Sequence, residues 1–430
     1  MNIEHLVNIE SKKMHDQNSA NLHLLLIGPY PPPFGGISSL FLSLVEGFKK
    51  KKLEKSYIVQ FGEKNGIKEI EGAIIYQFKL KKHIGKLFYP KHWHLFINSV
   101  KIYSGKGFNL KDHIKTILKT ILVNEVACLH KINVASFYQS DNSLELLLCK
   151  SLWGNKIGIA LTVFGEIYDF ASYILPRKEV FLELIKAADV VLSSSCHCAL
   201  SFNQIGNKRE IEVIYVGVSL ERFSKNKELR NSYRAKLGIS ENNMCLLFMG
   251  RFDEEMGLND LIENIPQLLN SEISFKIILA GAEGPLVEKA KRCESMYPDR
   301  VKVMNNIPFD LQPSLYAASD IVLVPSRDQH ACMGVAIKEA MAASRPVIAS
   351  DSGGIPEAVI PEETGVIVPL KANGENDLKN MKNSIISLSK DKNKRILLGN
   401  EARRRAEKLF SEETTISLYQ EVFKRCISER

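Results

Sequence analysis

Residues 320–369 constrain this chain most, and they read DIVLVPSRDQHACMGVAIKEAMAASRPVIASDSGGIPEAVIPEETGVIVP. Two short apolar, β-branched runs, IVLV and PVIA, suit strands buried on both faces. Between them, Gly334 precedes VAIKEAMAAS, a run of helix formers with apolar spacing for one buried face. A polar loop at residues 326–330 follows the first strand, and the double glycine Gly353–Gly354 follows the second. Loops that follow parallel strands line the crevice at the carboxyl edge of an α/β sheet, where ligands bind. Glu339 and the two loops are therefore expected on one cleft, with a further α/β unit lacking a site as the plainer reading.

At 430 residues the chain is too long for one ordinary domain, so two are expected. Its apolar fraction of 45% and charged fraction of 25% are globular values. The net charge of +8 points to an anionic partner: nucleotide, phospholipid surface or nucleic acid. The eight cysteines are scattered and only Cys196 and Cys198 lie close, which argues against a zinc site and for a reduced, cytoplasmic protein. Residues 1–21 are polar and mixed in charge, unlike a signal peptide, and read as a frayed arm. No apolar run approaches the length of a spanning helix.

The first half opens with LHLLLIGPYPPPFGGISSLFLSLVEGF, residues 22–48: a buried strand, a proline-stiffened glycine loop and an amphipathic helix. A helix N-terminus after such a loop is an anion site, although the GxGxxG spacing of dinucleotide binders is absent. Residues 49–131 are basic and aromatic in patches, notably KLKKHIGKLFYPKHWHLF at 79–96. That pattern fits either a solvated lysine-rich face or a membrane interface, where amines meet anionic lipid and rings rest at headgroup depth. No nucleic-acid motif accompanies the charge. Strands then alternate with helices (INVASFYQS, KIGIALTVFG, VVLSSS, and later CLLFMG and FKIILAG), which predicts parallel sheets covered on both faces.

The run KEAMAASRPVIASDSGGIPEAV resembles the donor-binding region of the large retaining family of GT-B glycosyltransferases, the glycosyltransferase family 4-like group 1. The resemblance is strong over residues 246–369 and thin before that, outside residues 28–39. It implies two Rossmann-like domains facing across a cleft: an arm at 1–21, an acceptor-side domain at 22–216, a donor-binding domain at 217–410, and a closing helix at 411–430 that crosses back. It also implies sugar transfer from a nucleotide-diphosphate sugar to a hydroxyl of a glycan, lipid-linked or polysaccharide precursor. No metal or other cofactor is implied; a peripheral place at the cytoplasmic membrane face is one of the two readings of the basic, aromatic stretch at 49–131.

By the same resemblance Arg251 grips the donor phosphates and Glu339 accepts from the ribose hydroxyls. Gly35, Gly36, Gly281, Ile307, Pro308, Gly334, Val335, Gly353 and Gly354 line the donor site. Phe164, Glu166 and His330 are candidate sugar contacts. From the residues alone Arg251 could also be a surface charge, and Glu339 a carboxylate favoured by its helix dipole. Four positions depart from the family pattern: Ala331 replaces its first donor glutamate, Met256 its lysine, Phe164 its histidine and Val216 its asparagine. They keep open an alternative, a catalytically weakened or non-catalytic GT-B partner that retains a nucleotide cleft.

Overall fold

The computed structural model describes residues 22–30, 36–51, 56–328 and 332–428. The predicted arm at 1–21 lies outside them, as do Gly35, His330 and Ala331. Two sheets organise the chain. The first comprises β1 (Leu24–Ile27), β2 (Ser56–Phe61), β3 (Gly66–Ile70), β4 (Ala73–Phe78), β5 (Val134–Tyr138), β6 (Gly158–Val163), β7 (Val190–Ser193) and β8 (Glu212–Val213). Their order is β3-β4-β2-β1-β5-β6-β7-β8. The second comprises β9 (Met244–Met249), β10 (Phe275–Gly281), β11 (Val301–Asn305), β12 (Ile321–Val324), β13 (Val347–Ser350) and β14 (Gly365–Val368). Their order is β11-β10-β9-β12-β13-β14, with every pair parallel.

The strand sequences explain why both faces are covered. In β1 the side chains of Leu25 and Ile27 enter one apolar cluster, and those of Leu24 and Leu26 enter the cluster on the opposite face. In β9, Leu246 and Phe248 divide in the same way from Cys245, Leu247 and Met249. Consecutive apolar residues are thus what a strand between two helical layers requires.

One expectation is corrected. The first sheet is not wholly parallel, because β3 pairs antiparallel with β4 at the edge. The sequence reading assigned no strand within residues 49–131, where β2, β3 and β4 lie. β2 and β4 are apolar but short and bracketed by lysines. β3, GIKEI, is almost wholly exposed, so no apolar alternation marks it. An edge strand gains its stability from one neighbour's backbone rather than from burial.

Near the end of the chain, Ser411 caps the helix Glu412–Ser428 by accepting from the Thr414 N–H at 3.0 Å. That helix buries Ile416, Tyr419, Val422 and Phe423 in the first domain, beside Leu24, Leu26 and Phe48. It reaches there through a crossing of two segments. Val218 N–H donates to Phe410 O at 2.9 Å, and Glu412 N–H donates to Val218 O at 3.0 Å. A Cβ on Gly217 would lie 2.3 Å from the Ser411 carbonyl oxygen, so only glycine allows this approach.

Candidate functional site

In the second sheet chain order reverses between β9 and β12. The loops after those two strands therefore flank the crevice at its carboxyl edge. Both loops carry an arginine and are laced together. Arg327 N–H donates to Glu255 O at 2.8 Å, and the Arg327 guanidinium meets Glu254 at 2.8 Å and Asp260 at 3.4 Å. Arg251, half exposed, is held by Asp253 and, at 3.2 Å, by Glu255 of its own loop. The hydrogen bond to Asp253 raises its pKa.

Gly334 lies at the mouth of this crevice. Its φ is +73°, and among the described residues nothing lies within 4 Å of where a Cβ would point. The helix Val335–Ala342 that follows has no acidic residue in its first turn. No side chain among the described residues caps this helix start, and the positive end of the helix dipole there suits an anion. One turn in, Glu339 is nearly fully buried and accepts from the Tyr316 hydroxyl at 2.7 Å. Burial raises the Glu339 pKa, while Tyr316, Arg222 and Lys338 pull it back. Arg222 stacks 3.2 Å above the Phe309 ring and donates to the Phe309 carbonyl.

Gly281 and Gly354 have a steric reason to be glycine. A Cβ on Gly281 would lie 1.8 Å from Gly250 O, and one on Gly354 would lie 1.5 Å from Cys332 O. Their absent side chains let neighbouring loops close on each other. Gly353, at φ +53°, makes the turn between β13 and the short helix Ile355–Ala358. Ile307 is partly buried against the second domain's core, whereas Pro308 beside it is exposed. Gly36 begins the helix Gly36–Lys50 that follows the first-domain glycine loop.

One first-domain candidate, Glu166, needs correction. Both carboxylate oxygens of Glu166 are engaged internally. Oε1 accepts from the Ser140 N–H at 2.8 Å and the Ser140 hydroxyl at 2.9 Å, and Oε2 accepts from the Phe164 N–H at 2.5 Å. With 1% exposure, Glu166 clamps the loops after β5 and β6 together and does not project toward a sugar. Burial pushes its pKa up to about 7. Phe164 is partly buried against the core that holds the closing helix. Met256 turns its side chain into the second domain's apolar cluster.

Other groups at the crevice carried no sequence signal, because their partners are remote in the chain. Lys338 is buried, donates from Nζ to Val216 O at 2.5 Å, and has its pKa lowered by burial to about 8. Glu357 of the second domain accepts from two N–H groups of the first, Cys196 at 2.8 Å and His197 at 2.7 Å, and from the Tyr215 hydroxyl at 3.2 Å. Beside that latch the Cys198 and Cys332 sulfurs are 2.8 Å apart across the domain boundary. Contact with that sulfur, and then burial, drives the Cys198 thiol far above its ordinary range.

The profile of the family described as glycosyl transferases group 1 matches residues 230–405. The second domain belongs to that family. Within this glycosyl transferase domain lie Arg251, Glu339, Gly334 and the double glycine. Among relatives, D-inositol 3-phosphate glycosyltransferase of Corynebacterium diphtheriae is 29% identical over 171 residues, covering 38% of this chain and 39% of its own length. A GDP-mannose-dependent α-(1-6)-phosphatidylinositol monomannoside mannosyltransferase of Mycolicibacterium smegmatis is 28% identical over 189 residues, covering 42% and 49%. The chain thus spans less than half the length of these curated relatives. Solved structures match nearly the whole chain. Sucrose-phosphate synthase of Thermosynechococcus elongatus superposes with a TM-score of 0.72 at 19% identity, covering 95% of this chain and 100% of that one. HepE of Anabaena in complex with UDP-glucose gives 0.68 at 17%, covering 93% and 99%. These likenesses show the fold, which is GT-B.

Proposed function

We propose that this protein transfers a sugar from a nucleotide-diphosphate sugar to an acceptor hydroxyl. The observation that carries the reading is the switch point between β9 and β12, whose two loops carry Arg251 and lead into the helix that starts after Gly334 and holds the buried Glu339. A leaving nucleoside diphosphate gathers negative charge, and fixed amide dipoles and a guanidinium offset it in the transition state. Arg251 exchanges its two carboxylate partners for phosphate oxygens, an exchange that the planar fork of arginine suits. Glu339 already holds Tyr316, and a carboxylate has acceptor sites left for ribose hydroxyls. Val335 contributes its backbone at the helix start, and Gly353 gives the sugar-side loop its turn. Resemblance to the retaining family supports retention at the anomeric carbon, and the UDP-glucose held by HepE supports a nucleotide sugar as donor. The acceptor is a glycan or a lipid-linked precursor, as the phosphatidylinositol-linked acceptor of the mycobacterial relative suggests. A reducing, cytoplasmic setting suits the eight cysteines, all of them thiols.

Calorimetry with UDP-, GDP- and ADP-sugars, followed by a nucleotide-release assay, tests the reading. Binding of one donor and its turnover with acceptor are expected, and binding of none overturns it. Because amide and guanidinium charge does the work, adding EDTA is expected to leave the turnover rate unchanged. A second reading is favoured by the pairing of Arg251 with Asp253 and Glu255 and by the inward turn of Met256. These match a GT-B partner protein that binds nucleotide without turning it over, and donor binding with no turnover would select it.

A further inference from the structure

The first domain carries an apolar face that its own core does not use. The helix Trp93–Tyr103 buries Leu95, Ser99 and Tyr103, spaced four apart, against the domain. Its opposite side presents Trp93, Ile97 and Val100, also spaced by four and three, all more than half exposed. A helix on a water-facing surface carries polar residues on that side. Phe88 and Tyr89 extend the stripe before the helix, at 75% and 51% exposure, and Leu110 extends it afterwards, at 73%. Between Val100 and Leu110 the face deepens into a groove of about 240 Å³ floored by Phe96, Phe108 and Ile117.

The charge around this face is one-sided. Residues 79–119 hold ten lysines and a single acidic residue, Asp112, a net of +9 against +8 for the whole chain. The rest of the molecule is therefore close to neutral, and nearly all of its positive excess surrounds the apolar stripe. Lys79, Lys86, Lys106 and Lys119 pair with acids from elsewhere in the first domain. Lys81, Lys82, Lys91, Lys101 and Lys111 are exposed around the stripe.

We propose that this face docks the protein on an anionic phospholipid bilayer, with Trp93, Ile97 and Phe88 in the headgroup region and the flanking lysines on the lipid phosphates. Apolar side chains ringed by lysine match a surface that is negative outside and hydrocarbon beneath. A protein partner with an acidic rim is a different occupant. It is disfavoured because the charge here is nearly all lysine, long and flexible, rather than arginine set for specific pairing. The helix has 11 residues, and among the described residues none is long and apolar enough to cross a membrane, so it lies in the surface plane. The docking stands independently of the transfer reaction.

The chain has two tryptophans, and Trp153 is buried at 5%, so a change in emission on adding vesicles reports Trp93. The full-length protein is mixed with vesicles of phosphatidylcholine alone, or of equal parts phosphatidylcholine and phosphatidylglycerol, and floated through a density gradient. Flotation and a blue shift are expected with the anionic vesicles only, both weakened by salt. The double variant Trp93→Ser with Ile97→Ser is expected to lower vesicle affinity about tenfold or more. So is the triple variant Lys81→Gln, Lys82→Gln, Lys91→Gln. Both variants should keep the wild-type melting temperature and nucleotide-sugar binding, which separates docking from the donor site. Protein that stays at the bottom with both vesicle types, an emission that does not move, or variants that float like the wild type would each overturn the proposal.

Discussion

Glu166 shows how burial turns a residue into a pH-dependent part. Its pKa rises to about 7 in the folded protein from an ordinary 4.5. Between those values the folded state holds a proton that the unfolded chain has released, so stability falls as pH rises through this window. The full change is about 3 kcal/mol and is complete above pH 7. Glu166→Gln is expected to flatten the dependence of melting temperature on pH between 5 and 8, as thermal denaturation across that range would show. An unchanged slope would mean that another group titrates there. Glu339 works differently, through a hydroxyl partner and a ligand. Glu339→Gln still accepts from Tyr316 but loses the charge for the ribose hydroxyls. It should lower kcat/KM for donor by about tenfold to a hundredfold with unchanged circular dichroism.

At the scale of elements, the donor-side loops are shaped by close backbone approach. Gly354 is the tightest, with Cys332 O where a side chain would begin. Gly354→Ala must push the loop after β13 away from the loop after β12. A loss of about 2 kcal/mol in urea unfolding is expected, together with weaker nucleotide binding in calorimetry. Wild-type stability in this variant would show that the loops part freely. The same crowding explains why the double glycine was legible in the sequence, although its cause was not. Glycine pairs advertise a tight backbone, and only the fold shows whether a ligand or another loop fills the space.

Across the whole molecule, the latch between Glu357 and the N–H groups of Cys196 and His197 joins the two domains beside the cleft. A carboxylate accepting from two amides is a charge-assisted contact. Glu357→Ala should free the domains, enlarging the radius of gyration in small-angle scattering and costing about 2 kcal/mol of stability. A scattering profile identical to that of the wild type would show that the crossing at Gly217 and Ser411 alone sets the domain angle.

Much of this architecture could be read before any coordinates. Runs such as LLLI and GIALTV admit little but strands covered on both faces, and the β12–β13 stretch placed Gly334, Glu339 and the double glycine on one side of a sheet. Those inferences rest on contacts between residues near in sequence, where periodicity and turn chemistry are written out. The clamp of Glu166 on Ser140, the carbonyl of Val216 under Lys338 and the latch of Glu357 join residues separated by 26, 122 and more than 150 positions. Which atoms then face one another depends on how two sheets pack and how the last helix crosses between domains, and no local pattern encodes that. The lysine-rich stretch fell between the two cases. Its composition allowed either a solvated face or a membrane face, and only the fold showed Phe88, Tyr89 and Trp93 turned outward among the lysines.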